Sequence, residues 1–110
     1  MKIDRTYYET AEWNGKKEYE KISITKGVEA YTSGYDTVLF ETETDEKIGI
    51  IRESENWTNF KSYYGATCLY GWDGEKSTRK QYTKDLCTRG LYNTALRLLM
   101  KEYMSRKNAE

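Results

Sequence analysis

Through the first half of the chain hydrophobic residues alternate with polar ones, and through the last third they recur every three or four positions. The first pattern is that of half-buried strands, the second that of an amphipathic helix. Ile3, Tyr7, Ala11 and Trp13 share one parity and predict a first strand. Asn14-Gly15 then predicts a type I′ hairpin, because both central positions of that turn need positive φ. In that register Tyr7 faces Ile22 and Glu12 faces Lys17. The returning strand holds Tyr19, Ile22 and Ile24, with Gly27 marking a bulge before Val28, Ala30 and Tyr31. Ser33-Gly34 is the next turn. Residues 35–43 follow as a strand centred on Val38, Leu39 and Phe40, then a polar turn at 44–47 and a fourth strand over 48–53.

Residues 54–74 keep no single period. Ser54 and Asn56 are candidate caps for a short helix through Trp57, Phe60 and Tyr64. The alternation of Tyr64, Ala66, Cys68 and Tyr70 instead predicts a strand over 66–72, leaving 55–64 as a loop or short helix. From Ser77 the spacing is helical: Tyr82, Leu86, Cys87, Leu91, Tyr92, Ala95, Leu96, Leu99, Met100 and Tyr103 form one stripe, interrupted at Gly90. The expected fold is a single α+β domain over 1–110. Residues 1–72 form mostly an antiparallel meander of four to five strands, and 77–106 form one or two helices packed on one face.

Composition narrows the function. The chain has 110 residues, enough for one domain, and 33% of them are charged, so its core must lean on aromatics. Eleven tyrosines serve that need, and tyrosine also suits recognition surfaces. Histidine is absent, which removes the usual general base near neutral pH and the commonest metal ligand. Cys68 and Cys87, nineteen apart, make neither a disulfide framework nor a zinc site. They read as buried thiols of a reducing cytoplasm. No nucleophile has a base beside it, and Glu9 with Glu20 across the first hairpin reads as a surface pair, so catalysis is not expected. No apolar run is long enough to span a membrane, and no cofactor motif is present.

The charge is uneven. Residues 1–75 carry nine Lys/Arg and fifteen Asp/Glu, whereas residues 76–110 carry nine and three. The acidic side concentrates Glu41, Glu43, Asp45 and Glu46, a candidate surface for a basic partner. On the basic side, "LYGWDGEKSTRKQYTKDL" (69–86) suggests a phosphate loop, but Glu75 stands directly before Lys76, where a P-loop needs glycine. A weaker anion or nucleic-acid site remains: Ser77 or Thr78 at a helix start with Lys76, Arg79 and Lys80 within reach, Lys76, Lys80 and Lys84 along one helical side, and Trp72 as a stacking ring.

The run "GYDTVLFE…GWDGEKSTRKQYTKDL" resembles a pattern in small accessory proteins of phages and mobile elements of low-GC Gram-positive bacteria. The matching positions are Trp72, Ser77, Thr78, Arg79 and Lys80, and Gln81 stands where the pattern has histidine. Size and composition are similar to those of anti-CRISPR inhibitors. The resemblance implies a small cytoplasmic inhibitor of a host defence system. Its partner would be a host protein, such as a nuclease or its complex, or a sequestered ligand. The alternative is a nucleic-acid-binding module built on the basic C-terminal helix.

Overall fold

The computed structural model describes residues 5–59, 61–72, 82–86 and 92–109. Helix α1 (Arg5–Thr10) is followed by a small hairpin, β1 (Glu12–Trp13) and β2 (Lys16–Lys17). Six strands then form one antiparallel meander: β3 (Glu20–Thr25), β4 (Val28–Thr32), β5 (Asp36–Glu41), β6 (Lys47–Asn56), β7 (Lys61–Cys68) and β8 (Tyr82–Leu86). Helix α2 (Tyr92–Asn108) closes the chain. The α+β class and the helix on one face match the sequence reading, and the sheet has one strand more than the upper expectation.

Strand β5 sits in the middle, and Val38, Leu39 and Phe40 are all buried. Alternate side chains of a strand point to opposite faces, so both faces of the sheet must be covered. Leu39 pairs across to Ala30 and Gly49, on the face where Ile51, Ala66 and Cys68 meet Ala95, Leu99 and Tyr103 of α2. These three helix positions are four apart and form the inward stripe. On the opposite face Val38 and Phe40 pack with Tyr31, and Tyr8, Tyr19 and Ile50 lie against them.

Several expectations are corrected. Residues 5–10 are helical, so Tyr7 does not face Ile22, and Glu9 does not oppose Glu20 across a hairpin; Ile3 lies outside the described residues. Tyrosine and threonine favour strands, but only Arg5, Tyr8 and Ala11 turn inward, at a spacing of three. The hairpin itself is as read: Asn14 and Gly15 have φ of 52° and 77°, and Glu12 pairs with Lys17. Gly27 (φ 81°) sits in the β3–β4 turn rather than in a bulge, and the register shift lies between Ser23 and Thr25. Residues 55–64 are neither helix nor loop alone. They hold the end of β6, a turn and the start of β7, while Leu69–Trp72 follow the strand as a turn. Tyr82–Leu86 is a strand paired with β7, so the helical stripe is real only from Tyr92 onward among the described residues.

Gly49 sets how closely α2 approaches. A Cβ there would lie 2.6 Å from Leu99 Cδ1 and would also collide with the Thr67 carbonyl. Gly49→Ala is expected to cost about 1–3 kcal/mol through overpacking. Urea unfolding monitored by circular dichroism checks this, and an unchanged midpoint would show that both α2 and the β7 backbone at Thr67 have room to shift.

Candidate binding cleft

A cleft of about 760 Å³ opens where α1, the β1–β2 hairpin and strands β3 and β4 meet. Its walls are Tyr8, Tyr19 and Tyr31, and its charged lining is Glu9, Glu18, Glu20, Lys17 and Lys21. The tyrosines are packed against one another and against the sheet. Tyr31 stacks on Phe40 with centroids 5.6 Å apart, Tyr8 stacks on Tyr31 at 5.6 Å, and Tyr19 meets Tyr8 edge-on at 4.9 Å. The Tyr31 hydroxyl donates to Glu9 Oε1 at 3.0 Å. Burial, and then that bond, push the Tyr31 phenol up. Burial, then the charge of Glu18, push the Tyr19 phenol up to about 12. Both rings therefore stay neutral at physiological pH.

Carboxylates outnumber ammonium groups in the lining, and Lys21 is already paired with Glu29 at 3.0 Å. Tyr7 is 54% exposed at the cleft's α1 side, and Trp13 is 72% exposed on the hairpin that carries Lys17. A cation, an aromatic-rich segment or both are what such a surface holds.

Three of the acidic residues singled out in the sequence make contacts within the fold. Glu41 accepts from the Tyr103 hydroxyl at 2.8 Å and from Lys107, which anchors the end of α2. Asp45, at φ 58°, forms an ion pair with Arg5 of α1. Glu46 accepts from the Gly71 amide at 3.3 Å. Glu43 is exposed. The turn between β5 and β6 thus joins three parts of the fold.

On the basic side, Lys76, Ser77, Thr78, Arg79 and Lys80 lie outside the described residues, as do Gln81 and Cys87. Lys84 belongs to β8, so positions 76, 80 and 84 do not form one helical side. Arg106 bonds Glu102 and the Cys68 carbonyl, while Arg97 and Lys101 are exposed on α2. Trp72 lines a separate groove over Ile50, Gly65 and Thr67. Cys68 is fully buried, and burial pushes its thiol up, which suppresses the thiolate. Among the described residues no helix is long and apolar enough to cross a membrane. Comparison with family models, curated proteins and solved structures returns no match to this chain.

Burial pushes the Glu41 carboxyl up, but the bonds from Lys107 and Tyr103 outweigh it and the net shift is downward. The unfolded value is ~4.3. The stabilisation is therefore complete above that pH and disappears as pH falls through the lower folded value. Glu41→Gln is expected to cost roughly 1–3 kcal/mol at neutral pH. Urea midpoints at neutral and acid pH should show a smaller acid loss in the variant. Equal acid losses would mean that another carboxylate governs that limb.

Proposed function

We propose that the chain is a non-enzymatic binding protein of a phage or mobile element. It inhibits a host defence system, such as a CRISPR nuclease, by occupying a basic protein surface. The observation that carries the binding reading is the preformed, acid-lined tyrosine cleft. Rigid rings offer contact area at low entropic cost, and the carboxylates supply complementarity to a basic groove. The resemblance to mobile-element accessory proteins and the absence of histidine support the inhibitor part of the reading.

A protein surface is favoured over nucleic acid on electrostatic grounds. Glu9, Glu18 and Glu20 would repel phosphate from the cleft. Among the described residues, the C-terminal cations are divided between β8 and α2, and Arg106 and Lys107 are held by internal partners.

Purified CRISPR nucleases with guide and target provide the test. One member of the panel is expected to lose cleavage when the protein is added. Glu18→Lys with Glu20→Lys should raise the inhibitory concentration by about tenfold or more, because like charges then face each other. Inhibition of no member overturns the inhibitor reading. Inhibition unchanged by the double substitution moves the contact away from the cleft.

A further inference from the structure

The aromatic stack on the α1 side of the sheet has two ends, and one of them already holds a guanidinium. Arg5 lies over the Phe40 ring, its guanidinium carbon 4.5 Å from the centroid. Its Nη2 donates to the Thr42 carbonyl at 2.7 Å, and its Nε pairs with Asp45. A cation on an aromatic face, paired with a carboxylate, is thus already an element of this protein. From Phe40 the stack runs through Tyr31 to Tyr8, with neighbouring rings within 13° of parallel. Its far end reaches the cleft, where Tyr19 and Tyr7 meet Tyr8 edge-on at 4.9 and 5.1 Å.

That end repeats the chemistry of the first. Tyrosine rings replace Phe40, and Glu18 and Glu20 line the cleft beside them. We propose that the cleft receives an arginine side chain from an exposed segment of the partner protein, its guanidinium against the Tyr8–Tyr19 wall and its donors toward Glu18 and Glu20. This rests on the protein-binding reading above. Arginine suits the site better than lysine: its guanidinium is planar, weakly hydrated, stacks on rings and bonds carboxylates in a fork. A cleft of about 760 Å³ also has room for the residues flanking that arginine.

Blocked synthetic peptides with a central Arg-Arg pair, and the same peptides with lysine or citrulline, test this by NMR titration of the intact chain. The arginine peptide is expected to give saturable shifts at Tyr8, Tyr19, Ser33 and Gly34 that weaken as salt rises. Lysine should bind about tenfold more weakly, and citrulline, uncharged but of the same shape, should give no saturable shift. Glu18→Gln with Glu20→Gln changes only exposed side chains and should weaken the arginine peptide by about tenfold while leaving the fold intact. Equal binding of citrulline or lysine, or no effect of the double substitution, overturns the inference, as does the absence of cleft shifts. None of these outcomes decides the inhibitor reading, which the nuclease panel tests whatever side chain the partner presents.

Discussion

A strand with apolar residues at consecutive positions has no face to give to water. Val38, Leu39 and Phe40 impose that condition on β5, and the remaining architecture satisfies it. The Leu39 side takes α2, with Gly49 kept small so that Leu99 can seat. The Phe40 side takes an aromatic layer held by α1. Magnitudes set the hierarchy. Each large side chain withdrawn from water contributes about 1.5–3 kcal/mol, whereas an exposed ion pair contributes roughly 0–1 kcal/mol. Burial on the two faces therefore drives the assembly, and the polar contacts of residues 41–46 align it.

Those polar contacts give the acidic turn between β5 and β6 a part in the fold. Seen along the chain, Glu41, Glu43, Asp45 and Glu46 form an acid cluster. In three dimensions α2, α1 and the turn after β7 each claim one of its carboxylates. The lysine that answers Glu41 stands at the last turn of α2, where a cation also complements the helix dipole. The carboxylates that line the cleft are Glu9, Glu18 and Glu20, which α1 and the entry to β3 bring together.

What the sequence made legible was local. Asn14-Gly15 dictates its own turn, the Val38–Phe40 run declares burial, and Ala95, Leu99 and Tyr103 declare a helix face. What it hid depends on distant partners. Helix α1 is short and rich in strand-favouring residues, and Phe40, Thr42 and Asp45 hold it in place. Tyr82 and Leu86 mimic helical spacing, yet their segment pairs with β7. The cleft had one faint local trace: tyrosines at 7, 8 and 19 lie beside acids at 9, 18 and 20. Nothing in that spacing shows that a helix would lay Tyr8 on Tyr31.

The division of labour between the two acidic regions bears on how this protein can evolve. Substituting Glu41 or Asp45 disturbs a helix as well as a surface, so that turn is tied to the fold it joins. Glu18 and Glu20 are exposed, where substitutions typically change stability by only about 0.5 kcal/mol. The rim of the cleft can therefore change its charge over generations without disturbing the stack of rings beneath it.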